Sequence, residues 1–281
     1  MTNMMNVLNA PMNLFANAGA GEEAGPHISI APETIFHLGP VGITNSQILG
    51  LVGTLLLLWI MFSVTKAVRT GSRSRFMHGF MALFENLYDT TVEVIGDKRI
   101  AVKVMPLAVT LFFFFLINNW LGLLPIVGPL TWNGVPMLRG AAADLNMTLG
   151  LAVISIVTAQ IWAIKRRGFF GNAMRYTANP LKDPLHFFIG ILEFIAEFSR
   201  TAALALRIFG NVFGGEVLLV VIAFLTSYFA IGALPVFYGL ELFVGAVQAY
   251  VFYMLTIAFI SLGLPEAGEE HGHGKPSKAA H

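Results

Sequence analysis

The chain has no cysteine, which excludes disulfides, thiolate metal ligands and cysteine nucleophiles. Charge is scarce: 12% of the residues are Asp, Glu, Lys or Arg, about half the share in a soluble domain. The formal net charge of +1 offers nothing to a nucleic-acid backbone. The first 42 residues contain no Lys or Arg. The opening MTNMMNVLNA therefore lacks the basic n-region of a secretory signal, and insertion is left to the apolar spans. Proline is missing from the longest apolar stretch, Leu185 to Tyr228, so nothing there breaks a helix.

What is there is hydrophobic. The apolar share is 56% and the mean hydropathy +0.72, and several runs reach or approach the ~20 residues that cross a bilayer. The expected fold class is an all-α polytopic membrane protein with about five crossings and one amphipathic surface helix. Residues 1–42 read as an outer N-terminal segment, 43–264 as a single membrane domain and 265–281 as a polar inner tail. The expected crossings are 43–64, 103–124, 145–164, 185–228 and 236–264. Between the first two, Phe76, Phe80, Phe84, Leu87, Tyr88 and Ile95 recur at helical spacing, with Glu85, Asn86, Asp89 and Glu93 on another face. That pattern suits a helix over 76–95 lying on the inner membrane surface, covering the other spans, or both. Asp183 followed by Pro184 marks the start of the fourth crossing.

Basic residues set the orientation. Of 17 Lys and Arg, 14 fall in segments on one side, Arg139 falls on the other, and Arg200 and Arg207 lie within a span. By the positive-inside rule the N-terminus is outside and the C-terminus inside. Length adds a constraint. Residues 185–228 as one helix would run about 65 Å at ~1.5 Å per residue, against a hydrocarbon core of ~30 Å. The last two crossings are therefore expected to form a long, steeply tilted hairpin.

The fourth crossing carries Glu193, Glu197, Arg200, Arg207 and Glu216. A charge at the centre of a span costs about 2.5–3.5 kcal/mol on insertion scales, so five in one span point to use. Arg207, near the middle, stays charged at any physiological pH. It acts as an ion-path countercharge or as half of a static salt bridge. Asn211 is one turn on and shares its face. Glu197 is three residues from Arg200, within pairing reach, and Glu193 fits a water-filled entry. Glu241 and Gln248 in the last crossing are seven apart and share a face. The hairpin brings Glu241 to the depth of Glu216. Carboxylates at both ends with an arginine between suggest two half-paths that do not join. His271 and His273 sit in a short polar tail and do not make a metal site. Gly214-Gly215 lies in an apolar helix and is not a nucleotide loop. No metal, cofactor or nucleotide chemistry is expected of this chain.

SRTAALALRIFGNVFGGE (Ser199 to Glu216) closely resembles subunit a of the F-type ATP synthases. The resemblance runs upstream through ILEFIAEFSR and downstream through ELFVGAVQAYVFYMLTIAFI. It includes NNWLGLLP (Asn118 to Pro125) and ADLNMTLGL (Ala143 to Leu151), and covers most of residues 40–264. It implies a proton-translocating stator subunit beside a rotating ring of c subunits. Such a subunit is held by peripheral-stalk b subunits in a bacterial, or mitochondrial, inner membrane, and does no ATP chemistry itself. Arg207 would be the essential arginine facing the ring carboxylates. Asn211, Glu216, Glu241 and Gln248 match positions tied to the outer half-channel and the region around the arginine, and Glu193, with Glu197, to the inner one. Some relatives have His where this chain has Glu241. Ala203 and Ala205 replace hydroxyls found in others, which weakens any hydroxyl relay. Three alternatives remain: a sodium-coupled version of the same subunit, a self-contained secondary transporter, and a purely structural assembly subunit. The transporter class often shows internal repeats and broken helices, and neither is visible here.

Overall fold

Thr44 opens the first helix by a reciprocal cap. Its side chain accepts from the Gln47 N–H at 3.4 Å, and the Gln47 side chain accepts from the Thr44 N–H at 3.3 Å. Helix α1 then runs Asn45–Thr70 and ends at Gly71, whose φ of 67° is the left-handed cap that favours glycine. The computed structural model describes residues 31–38, 41–71, 75–125, 127, 130–132, 135–171, 184–226 and 230–263.

The other helices follow in order: α2 Arg75–Ile95, α3 Lys98–Gly122, α4 Leu145–Arg167, α5 Pro184–Thr226 and α6 Ala230–Gly263. Asp97 and Asp144 cap α3 and α4, accepting from Arg99 N at 2.8 Å and Asn146 N at 2.9 Å. Helices α1, α3, α4, α5 and α6 are long and apolar enough to cross a membrane. The chain is an all-α polytopic integral membrane protein. Helix α5 is unbroken over 43 residues, so its length of about 65 Å cannot stand upright in a ~30 Å core.

The core is built on α3 and α6, the most buried spans. Phe115 and Phe252 meet at 4.4 Å between ring centroids, and Phe112 meets Tyr253 edge-on. Helix α2 does more than lie on a surface. Its Leu87 and Thr91 are fully buried against this core. The Tyr253 hydroxyl shares a 2.6 Å hydrogen bond with Thr91 and donates to the Leu87 carbonyl. Glu85, Asn86, Asp89 and Glu93 stay exposed, as the spacing predicts, but so does Phe84. Helix α4 is tied to α6 by a buried Ser155–Thr256 hydroxyl pair at 2.8 Å. Helix α5 is the least buried span and rests on α4 and α6.

The elements differ from the sequence reading in several places: α1 runs on to Thr70 instead of 64, and α3 begins at Lys98 instead of 103. The end of the N-terminal segment is an antiparallel hairpin, β1 Thr34–Leu38 with β2 Val41–Thr44, so the first helix starts at Asn45 rather than Ile43. The loop after α3 carries a second small hairpin, β3 Thr131–Trp132 with β4 Val135–Pro136, and a 3-10 turn, Ala141–Ala143. Helix α6 begins at Ala230, with Pro235 inside it instead of ending the turn before it. A proline there forfeits one helical hydrogen bond, which a helix packed among others tolerates. Pro184 is the first residue of α5. Its expected cap Asp183, most of the N-terminal segment and the tail with His271 and His273 lie outside the described residues.

Candidate ion path

The register of the α5–α6 hairpin follows from one contact. The Glu241 carboxylate lies so close to the backbone of Gly215 that a Cβ at position 215 would overlap it. Both helices rise equally per residue. Eight residues back along α5 lies Arg207, and eight on along α6 lies Ala249, so Gln248 stands level with Ile208. The same count sets Glu197 level with Phe259 and Glu193 level with Gly263. These four residues line one small cavity, which fits the count.

At the turn end of the hairpin is a cavity of about 470 Å³, lined by Glu216, Arg139, Glu33, Phe213, Tyr238 and apolar residues of α5 and the α3–α4 loop. Arg139 is buried to 9% exposure. A buried guanidinium is tolerable only when paired and hydrogen-bonded, and Arg139 is both. Its Nε lies 3.7 Å from Glu216 Oε2, its Nη1 donates to the Ala31 carbonyl at 2.9 Å, and its guanidinium sits 5.7 Å from the Phe213 ring centroid. The other Glu216 oxygen, Oε1, accepts from the Gly140 N–H at 3.1 Å. That approach requires glycine, since a Cβ on residue 140 would come within 2.5 Å of Oε1. The α3–α4 loop is pinned nearby: Ser46 donates to Asp144 at 2.9 Å and Asn45 to the Pro136 carbonyl at 3.2 Å.

At the far end is a cavity of about 20 Å³, room for a single water by the ~10–15 Å³ criterion. Glu193, Glu197 and Arg200 of α5 line it, together with Gln160 of α4. Gln160 donates a hydrogen bond to Glu197.

Arg207 lies between. Counted along α5 at ~1.5 Å per residue, it is about 13 Å from Glu216 and about 15 Å from Glu197. It is exposed on the outer face of the hairpin and makes no ion pair among the described residues. Asn211 is half-buried. Gln248 is buried, and its Nε2 has no hydrogen-bond partner among the described residues. On the inward side at this level, Leu204, Ala205 and Ile208 pack with Ala249 and Phe252 in the apolar core. Among the described residues, none lines both cavities.

The structure thus brings Glu216 to Arg139, Glu241 to Gly215, and Glu193 and Glu197 to one pocket, and keeps Arg207 apart from both groups. Sequence reasoning missed Arg139, Gly140 and Gln160 as site residues. Arg139 did carry a signal, since it is the one basic residue on the wrong side of the charge bias. Gln160 offered only a lone amide in an apolar span.

The comparisons with known proteins bear on the family. Residues 47–261 match the family described as ATP synthase A chain. ATP synthase subunit a of Mycobacterium bovis is 32% identical over 233 residues, covering 82% of this chain and 88% of that protein. The Acidothermus cellulolyticus protein of the same name is 34% identical over 220 residues, 75% of this chain and 76% of that one. ATP synthase subunit a 2 of Chlorobaculum tepidum is 29% identical over 277 residues, 93% of this chain and 72% of that one. The match over residues 47–261 and relatives at this identity over most of the chain lead to one conclusion: the chain belongs to the ATP synthase A chain family.

Proposed function

We propose that this chain is the proton-conducting stator subunit of a rotary ATP synthase, offering two offset half-paths to a ring of c subunits. The observation that carries the reading is the pair of separate cavities with exposed Arg207 between them. In this reading the turn end faces outside and both the far end and the C-terminus face inside, in a bacterial inner membrane. Peripheral-stalk b subunits hold the chain against rotation.

Protons enter the turn-end cavity and pass Glu216 and Glu241, with Asn211 and Gln248 leading toward the ring. They neutralise a ring carboxylate, which then enters lipid at low cost, because an uncharged acid has little to lose by leaving water. After nearly a full turn the carboxylate meets the far-end pocket and deprotonates toward Glu193 and Glu197. Arg207 attracts the charged form and blocks a direct leak as a fixed positive charge between the two paths. Each charge crossing yields about 2.3 kcal/mol per 100 mV of potential. The apolar packing of Leu204, Ala205 and Ile208 keeps water from joining the two cavities inside the subunit.

The decisive test is Arg207→Ala in vesicles holding the whole complex. Coupled ATP synthesis is expected to vanish while the subunit still assembles. Synthesis at the normal rate would remove Arg207 from the centre of the mechanism.

A further inference from the structure

Arg139 is a second fixed positive charge, placed at the carboxylate of the turn-end cavity instead of facing out of the protein. It holds two acceptors at once, Glu216 Oε2 at 3.7 Å and the Ala31 carbonyl at 2.9 Å. The remaining Glu216 oxygen is taken by the Gly140 N–H. Glu216 therefore presents no oxygen that a donor does not already face, and the rest of the lining is mostly apolar. We infer that Arg139 is a specificity-determining residue that excludes sodium and other metal cations from this entry while protons pass.

The physics separates the two kinds of ion. A hard metal cation needs several oxygen ligands to replace its water. Here both oxygens of Glu216 are engaged, by an arginine and a backbone amide, and Glu33 adds a single further carboxylate to the lining. The cation would also meet an immobile like charge in a low-dielectric wall, where Coulomb repulsion is far stronger than in water. Arginine cannot relieve that repulsion by losing its proton, as a desolvated lysine could. A proton needs neither a cage of oxygens nor empty volume. It moves along hydrogen bonds and resides on a carboxylate. Loss of Arg139 would remove the repulsion and release Glu216 Oε2 to the cavity, and would also free the Ala31 carbonyl.

The inference rests on the reading of this cavity as an ion entry. The test uses ATP-driven proton pumping by the whole complex in sealed vesicles, with sodium chloride or choline chloride outside and inside. The readout is the ratio of rates in the two salts, which does not depend on how much complex assembles. Wild type is expected to give a ratio near one. In Arg139→Gln, sodium is expected to slow pumping by about tenfold, the lower end of the effect of one focused charge on local ion concentration. Arg139→Lys, whose charged form the adjacent Glu216 carboxylate favours against desolvation, is expected to keep the wild-type salt ratio at neutral pH. Should Arg139→Gln fail to assemble, Arg139→His carries the same test: sodium should be harmless at acidic pH, where the imidazole is charged, and inhibitory at alkaline pH. An unchanged ratio in both the Gln and His variants would overturn the role of Arg139. A wild type slowed by sodium would overturn it as well. Absence of any proton pumping by wild type would overturn the ion path itself, and this role with it.

Discussion

The carboxylate of Glu241 occupies the space where any residue other than glycine at position 215 would place its Cβ. This contact marks the depth at which α6 stands against α5. Adding a methyl group at 215 must push the Glu241 side chain aside. The side chain is flexible, so the helices need not separate. Gly215→Ala is therefore expected to assemble, with proton flux reduced about tenfold or more, as small displacements of reacting groups commonly do. Gly150→Ala is the control, because a Cβ there meets nothing within 4 Å. Equal flux in the two variants would show that the position of Glu241 is immaterial.

Glu216→Gln keeps an oxygen for the Gly140 N–H and nearly the same shape, but cannot carry a proton. It also leaves Arg139 buried without its carboxylate. Breaking a fully buried pair costs about 3–5 kcal/mol, but Glu216 is 24% exposed and Arg139 keeps the Ala31 carbonyl, so the cost should be well below that. Proton flux is expected to fall much further than the amount of assembled complex, measured by immunoblot against vesicle pumping. Parallel losses would mark Glu216 as a structural tie alone.

Gln160→Leu removes the donor that holds Glu197 from the neighbouring helix. Side-chain hydrogen bonds between membrane helices average about 0.6 kcal/mol, too little to unfold the bundle. The expected result is normal assembly with slower flux, and recovery on Gln160→Asn plus Glu197→Gln is not expected, because that pair lacks the charge. Unaltered flux in Gln160→Leu would make the contact incidental.

Gly53 of α1 faces Asn118 of α3 so closely that a Cβ at 53 would collide with the Asn118 side chain. Gly53→Ala should destabilise the α1–α3 contact by about 1–3 kcal/mol, the usual cost of overpacking. Asn118→Ala in the same chain should restore much of it. A double-mutant cycle on thermal dissociation of the complex measures that coupling, and additive losses would place the strain elsewhere.

Much of the architecture was legible along the chain. A span is a local property: some twenty apolar residues between polar ends form a helix in lipid whatever lies beside them. The five crossings, the amphipathic α2 and the unbroken α5 followed from that, and so did the isolation of Arg207 in an apolar stretch. The cap at Thr44 was also written locally, as T-N-S-Q, but starting the span at Ile43 passed over the strand that ends at this cap.

The partners of the buried charges were decided only by the tertiary structure. Gly140 meets Glu216 across 76 residues, and Gln160 meets Glu197 across 37. No local periodicity encodes such distances, because they depend on which faces of separate helices and loops pack together. Sequence placed Glu216 and Glu193 at opposite ends of one helix. Packing then gave one end a broad cavity guarded by Arg139 and the other a pocket the size of one water held by Gln160. It also left Arg207 on the open face, where neither set of partners reaches it.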